Sequence, residues 1–161
     1  MSNNIIIVEG NLLDTNANII CHQVNNCGAM NSGVAKQIRE KWPSVYNVYK
    51  EAFDKGQLHL GLAQVILIEN NQYVVNLVGQ DKFGYDGEQY TDYDAFKKGL
   101  YAIRNFMIKE KLDTIAFPYN IGCCRGGGKW EVVYNIIKDV FSDIISISNK
   151  HKVFIYKLDL G

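Results

Sequence analysis

Short apolar runs rich in β-branched residues alternate with amphipathic stretches along the chain, and this alternation limits the possible folds more than any other feature of the sequence. Such runs are typical of strands, whereas apolar residues at four-residue spacing are typical of helices. The pattern predicts strands at residues 5–8, 17–24, 62–69, 72–78, 114–117 and 151–158, and helices at residues 32–42, 44–53, about 92–111 and 130–141. Strands that alternate with helices, with one central hairpin, predict an α/β fold whose mixed sheet carries helices on both faces.

The size and composition of the chain fit one domain with its own core. The 161 residues are 47% hydrophobic and 21% charged, and no Pro/Gly/Ser-rich linker divides them, so we expect a single domain over residues 1–161. Seventeen Lys and Arg balance seventeen Asp and Glu, which argues against a nucleic-acid partner held by an overall basic field. The N-terminal segment has no secretory-signal pattern and no apolar run is long enough for a membrane span, so we expect a cytoplasmic location.

Four cysteines are present, at Cys21, Cys27, Cys123 and Cys124. Neither pair has the two-residue separation that is typical of zinc ligands, and disulfides would need an oxidising compartment. The sequence therefore predicts free thiols, no metal site and no cofactor. A nucleophilic cysteine is the alternative, but His22 beside Cys21 does not support it, because neighbours on a strand point to opposite faces.

Two segments of the chain have the order strand, loop of small residues, helix. The first covers residues 22–35 and the second covers residues 118–130. Backbone N–H groups in such loops approach anions closely, and a helix N-terminus favours negative charge. Arg125 and Lys129 add positive charge to the second loop, although neither loop matches the Walker A or dinucleotide-binding pattern. Each loop alone is equally well explained as an ordinary tight connection, whereas two on one sheet favour a phosphate-bearing ligand.

The same residues resemble a macro domain. The resemblance is carried by Val8-Glu9-Gly10-Asn11-Leu12-Leu13 and by residues 21–35 and 118–130, and it extends from about residue 5 to residue 158. It is strongest to the branch that holds the ADP-ribose 1-phosphate phosphatases and the terminal ADP-ribose glycohydrolases. The resemblance implies a three-layer α/β/α macro-domain fold with a mixed central sheet, and ADP-ribose or a derivative of it as the ligand.

The resemblance also implies which residues contact that ligand. In the family the segment at residues 25–35 of the first loop surrounds the distal ribose, and the segment at residues 121–128 of the second loop surrounds the diphosphate. The implied contacts are Gly10, Asn11, Leu12, Gln23, Asn25, Asn31, Ser32, Gly33, Val34, Pro118, Tyr119, Ile121, Gly122, Cys123, Cys124, Arg125 and Gly126. Many macro domains have Asp where this chain has Asn11, whose neutral amide oxygen still accepts a hydrogen bond from adenine. The alternative for Asn11 is a turn residue after Gly10.

Three residues are candidates for catalysis: His22, Asp81 and Lys82. His22 ends a strand at the first loop, its imidazole titrates near neutral pH, and the phosphatase branch is similar in having a histidine there. A structural histidine is the alternative. Lys82 resembles the lysine nucleophile of the glycohydrolases, and Asp81 is the nearest carboxylate, with a solvated loop residue as its alternative. Relatives often have Asp at the positions of Gly126 and Lys129, so the resemblance implies that a lysine–aspartate route is incomplete in this chain.

We therefore expect a hydrolase that acts on the distal ribose of an ADP-ribose derivative, with dephosphorylation of ADP-ribose 1-phosphate as the first reaction to consider. The alternative is a module that binds ADP-ribose or a related nucleotide without turnover, and the missing loop carboxylates favour it. An RNA-binding role is disfavoured by the zero net charge.

Overall fold

The computed structural model describes residues 4–82, 88–123, 126–147 and 149–158. The strands are β1 (Ile5–Glu9), β2 (Ile19–Asn25), β3 (Ala63–Glu69), β4 (Gln72–Gln80), β5 (Thr114–Pro118) and β6 (Lys152–Lys157), and the helices are α1 (Gly33–Lys41), α2 (Pro43–Asp54), α3 (Tyr93–Glu110) and α4 (Trp130–Ile147). Each predicted strand and helix is confirmed, but three predicted ends are wrong by two residues or more. Strand β2 begins at Ile19 instead of residue 17. Strand β4 continues to Gln80 instead of ending at residue 78, and α4 continues to Ile147 because its apolar face extends beyond residue 141.

The six strands form one sheet in the order β1-β6-β5-β2-β4-β3. All neighbouring strands are parallel except β3 and β4, so the predicted mixed sheet is confirmed. The hairpin between β3 and β4 turns at Asn70-Asn71, and Asn71 adopts the left-handed φ of 58° that asparagine tolerates well. Because β2, β4 and β5 are parallel neighbours, their carboxyl ends meet at one edge of the sheet.

Helices cover both faces of the sheet and complete the three layers. Helices α3 and α4 pack on one face, in a cluster that includes Cys21, and α1 and α2 pack on the other face, in a cluster that includes Ile20. Burial of Cys21 raises the pKa of its thiol, which keeps the thiol neutral and unreactive. In the ranges that the structure describes, no helix is both long and apolar enough to cross a membrane.

Local sequence signals explain where the helices begin and end. Asp92 caps α3, since its carboxylate accepts a hydrogen bond of 3.0 Å from the N–H of Ala95. The helix ends at Lys111, which adopts a left-handed φ of 58°. Pro43 occupies the first turn of α2 and separates that helix from α1, as its missing N–H and fixed φ predict.

Candidate functional site

A cavity of about 310 Å³ lies at the carboxyl ends of β2, β4 and β5. Its walls come from the first loop, the start of α1, the strand ends and the second loop. The lining residues are His22, Gln23, Val24, Asn25, Ala29, Met30, Asn31, Ser32, Gly33, Val34, Ala35, Gln80, Pro118, Tyr119, Asn120, Ile121, Gly122 and Gly126. Parallel sheets bind ligands at this edge, and the volume lies within the usual range for small-molecule sites.

The structure brings most of the predicted ligand residues of both loops together around this cavity, along with His22. Gly10, Asn11, Leu12 and Cys123 do not line it. The side-chain oxygen of Asn11 accepts from the N–H of Leu13 at 3.0 Å and caps a short 3-10 turn, as its alternative interpretation predicted. Cys124 and Arg125 lie outside the described residues, so their predicted contacts stay predictions.

Two polar residues of the cavity were missed by sequence reasoning, Gln80 and Asn120. Gln80 ends β4 and pairs with Asn25 at the end of β2, so the parallel pairing brings it to the site. The apolar run ends at Val78, so the sequence carried no signal that the strand continues through Gly79 to Gln80. Asn120 follows β5 and adopts a left-handed φ of 65°. The signal was an asparagine between a strand and a glycine-rich loop, because asparagine adopts this conformation more readily than most residues.

The first loop is held in shape by Asn25 and Tyr49. The amide of Asn25 accepts from the N–H of Cys27 at 2.9 Å and donates to the carbonyl of Ala29 at 3.1 Å. The hydroxyl of Tyr49 donates to Asn25 at 2.7 Å and accepts from the N–H of Gly28 at 3.1 Å. Burial raises the pKa of Tyr49, so the hydroxyl stays a donor. Both side chains therefore fix the loop that leads into α1.

The start of α1 forms part of the cavity wall. Ser32 precedes the helix in an extended conformation and makes no side-chain cap, and Gly33 adopts a φ of 60°. The first N–H groups of a helix have no partner within the helix, and the helix dipole makes this end positive. Gly33, Val34 and Ala35 all line the cavity. This wall therefore favours an anionic group such as a phosphate.

The second loop folds back tightly on itself and on Thr91. The carbonyl of Gly122 accepts from the hydroxyl of Thr91 at 2.7 Å and from the N–H of Gly128 at 2.9 Å, and the carbonyl of Gly126 accepts from the N–H of Thr91 at 2.8 Å. A Cβ atom at Gly126 would clash with the Thr91 hydroxyl and would lie 2.6 Å from the Gly122 carbonyl. Position 126 therefore has no room for any side chain.

His22 is buried at the inner end of the site, with 1% of the residue exposed. Its Nε2 lies 2.6 Å from Oδ1 of Asn76. Burial lowers the pKa of His22 to about 4, and the hydrogen bond to Asn76 opposes this effect only in part. The imidazole is therefore neutral at pH 7. Its Nδ1 is buried and has no hydrogen-bond partner within the described part of the chain.

Asp81 and Lys82 lie outside the cavity wall and are exposed. The carboxylate of Asp81 accepts from the side-chain amide of Asn26 at 3.0 Å, and the N–H of Lys82 donates to the same amide group at 2.8 Å. These bonds connect the end of β4 to the first loop. Gln80, rather than Lys82, supplies the side chain that this strand end contributes to the cavity.

The described lining of the cavity carries no Asp, Glu, Lys or Arg side chain. Its polar groups are neutral, and Gln23 is central among them, donating to the hydroxyl of Thr91 at 2.9 Å and to Gln80 at 3.3 Å. Among the residues that the structure describes, no group of three or more His, Cys, Asp or Glu side chains is placed to hold a metal ion. Negative charge on a ligand would therefore be stabilised by backbone N–H groups and by the positive end of the α1 dipole.

Comparisons with known proteins agree with this architecture. A family profile described as Macro domain matches residues 21–137. The chain is 24% identical over 153 residues to a DNA ADP-ribosyl glycohydrolase of Thermus aquaticus, and the match covers 93% of this chain but only 40% of that relative. The chain therefore spans well under half the length of this curated relative.

Solved structures have the same fold. A protein of unknown function from Bacteroides thetaiotaomicron is 27% identical, with a TM-score of 0.85 over 98% of this chain and 100% of that chain. DarTG from Thermosipho africanus, solved in complex with ADP-ribose, is 21% identical, with a TM-score of 0.78 over 99% of this chain and 43% of that chain. Because the family profile matches more than half of the residues and the fold agrees, this chain belongs to the macro-domain family.

Proposed function

We propose that this macro domain binds ADP-ribose or a derivative of it in the cavity and hydrolyses the bond to a substituent on the distal ribose. The observation that carries the proposal is the cavity itself, at which the start of α1 and the glycine-rich second loop meet. ADP-ribose 1-phosphate is the first substrate to test. An ADP-ribosyl group on DNA is the second, because the curated relative from Thermus aquaticus is named as a glycohydrolase of that kind.

The binding part of the proposal rests on the neutral, donor-rich walls. A diphosphate next to Gly33 and Val34 would receive backbone N–H groups and the positive end of α1 without a formal cation. In the second loop, the carbonyl groups of Gly122 and Gly126 already accept hydrogen bonds before a ligand binds, and a wall that is ordered in advance reduces the entropy cost of binding. The ADP-ribose complex of the Thermosipho relative, which has the same fold, supports this choice of ligand.

The hydrolytic part of the proposal rests on His22. A neutral imidazole with an unpartnered Nδ1 at the inner end of a cavity is suited to orient a water molecule and to accept its proton. In phosphate release, the water oxygen would attack phosphorus, the bond from phosphorus to the ribose oxygen would break, and the proton accepted by His22 would pass to that ribose oxygen. The products would be ADP-ribose and inorganic phosphate. The low pKa of about 4 makes His22 a weak base, so we expect slow turnover.

Binding without turnover is the second candidate function, and three observations favour it. No described carboxylate or lysine lines the cavity, Gly126 has no room for a carboxylate, and Asp81 is engaged with Asn26 outside the wall. If this candidate is correct, ADP-ribose 1-phosphate binds and is recovered unchanged.

Phosphate release from ADP-ribose 1-phosphate tests the two candidates against each other. We expect the wild-type protein to release phosphate. In His22→Ala, kcat should fall about 100-fold, which is within the contribution of a positioned base, whereas the affinity for ADP-ribose should be retained. His59→Ala is the matched control, because His59 is exposed and does not line the cavity. A wild-type protein that binds both nucleotides, and releases no phosphate and cleaves no ADP-ribosylated DNA, would establish the binding module and reject the hydrolase.

A further inference from the structure

Three polar side chains form a hydrogen-bonded row across the sheet, beside the cavity. His22 on β2 is paired with Asn76 on β4, and Asn76 is paired with Gln64 on β3. His22 Nε2 lies 2.6 Å from Asn76 Oδ1, and Asn76 Nδ2 donates to Gln64 Oε1 at 3.2 Å. The row continues to helix α2, where Gln64 Nε2 donates to the carbonyl of Val48 at 3.4 Å. The row therefore lies next to the apolar cluster that contains Ile20, Val74 and Ile66.

Backbone carbonyl groups of α2 determine the direction of this row. Asn76 Nδ2 lies 3.3 Å from the carbonyl of Val45 and, as noted, Gln64 faces the carbonyl of Val48. A carbonyl only accepts, so the amide nitrogen of Asn76 must face α2 and its oxygen must face His22. That oxygen also only accepts. The proton of the neutral imidazole must therefore be on Nε2 of His22, which settles a choice that ring geometry alone leaves open.

The other ring nitrogen is consequently a free acceptor. A neutral histidine carries one N–H, so Nδ1 of His22 has a lone pair, and Nδ1 has no partner among the described residues. A buried acceptor without a donor is costly and is usually matched by water or by a ligand. Because His22 lines the cavity, a water molecule or a ligand hydroxyl in the cavity is the donor nearest at hand.

We propose that Asn76 is a positioning residue, which holds His22 as the Nε2–H tautomer and so leaves Nδ1 as the acceptor for a water molecule or a ligand hydroxyl. Asn76 is fully buried and does not line the cavity, so it acts only through His22. The catalytic consequence rests on the proposed function, whereas the tautomer does not. The two are therefore tested by separate readouts on the same variants.

The tautomer is measured by NMR, from the ¹⁵N shifts of the two imidazole nitrogens and their couplings to the ring protons. We expect one neutral tautomer with the proton on Nε2 in the wild-type protein, and a mixture of both tautomers in Asn76→Leu. Gln72→Leu is the matched control, because Gln72 is an amide on the same strand that donates to Thr15 and Ala17, away from the cavity. An Nδ1–H tautomer in the wild type, or an unchanged tautomer in a folded Asn76→Leu, would overturn the proposal.

A second variant covers the case in which Asn76→Leu does not fold. Asn76→Asp keeps an acceptor opposite Nε2, so we expect it to retain the Nε2–H tautomer, and an Nδ1–H tautomer in this variant would also overturn the proposal. The activity readout is a split between kcat and affinity. We expect Asn76→Leu to lower kcat about 10- to 100-fold, which is part of what a positioned base supplies, and to change the ADP-ribose affinity less than about threefold. In Asn76→Asp, kcat should be partly restored. A kcat unchanged in Asn76→Leu would refute the positioning role. A wild-type protein without turnover would refute the hydrolase, while the NMR result would still decide the tautomer.

Discussion

Lowering the pH below neutrality should destabilise the protein through His22. Burial lowers the pKa of His22 from its ordinary value of 6.5 to about 4 in the folded state. The unfolded chain therefore binds a proton more readily, so the contribution of His22 is complete above pH 6.5 and is lost as the pH falls toward 4. At about 1.4 kcal/mol of stability for each unit of difference between the folded and unfolded pKa, the whole loss is about 3 kcal/mol. At pH 5 the same proton-binding relation gives a loss of about 2 kcal/mol in the free energy of unfolding.

Urea denaturation at pH 7.5 and at pH 5.0 measures this loss. With a urea dependence of about 2 kcal/mol per molar, the midpoint of the wild-type protein should fall by about 1 M because of His22. His22→Gln does not titrate and keeps an amide donor opposite Asn76, so it should lose about 2 kcal/mol less than the wild type between the two pH values. His59→Gln, an exposed histidine, should behave like the wild type. Equal losses in wild type and His22→Gln would refute the conclusion that His22 is buried in its neutral form.

Two further substitutions test the loops around the cavity. Gly126→Ala should destabilise the protein by about 1–3 kcal/mol, because the added Cβ clashes with the Thr91 hydroxyl. In a Thr91→Ala background the same substitution should cost less, and strictly additive effects of the two substitutions in urea denaturation would contradict that contact. Tyr49→Phe should lower the free energy of unfolding by about 1–2 kcal/mol and weaken ADP-ribose binding, because it removes the hydroxyl that forms hydrogen bonds with Asn25 and Gly28. Unchanged stability and affinity would show that the first loop does not depend on this hydroxyl.

The fold was predictable because its signals are local. Apolar runs mark the strands, Asn70-Asn71 marks the hairpin and Asp92 marks the start of α3, and each acts within a few residues. The order of the strands was not predictable, since it depends on contacts between distant segments. The position of Gln80 shows the effect on the site. The strand was predicted to end at residue 78, but pairing with β2 extends it and brings Gln80 to the cavity.

The site was predictable in its residue types but not in its chemistry. The sequence identified His22 as a candidate base, yet its tautomer depends on Asn76, which is 54 residues away. Gly126 was recognised as the position of a missing carboxylate, yet the reason, the hydroxyl of Thr91, is a tertiary contact. Asp81 and Lys82 directly follow Gln80 in the chain, but neither of them lines the cavity. Such properties depend on which side chains meet across the fold.

A calorimetric titration with ADP-ribose, followed by mass analysis of the recovered nucleotide, tests whether this cavity is an ADP-ribose site. We expect a saturable one-site isotherm for ADP-ribose and a weaker one for AMP, which lacks the second phosphate and the distal ribose that the start of α1 and the first loop are proposed to hold. Recovered ADP-ribose should be unchanged, since it carries no substituent to remove. The absence of binding heat at several temperatures, or equal affinity for ADP-ribose and AMP, would contradict the assignment of this cavity to ADP-ribose.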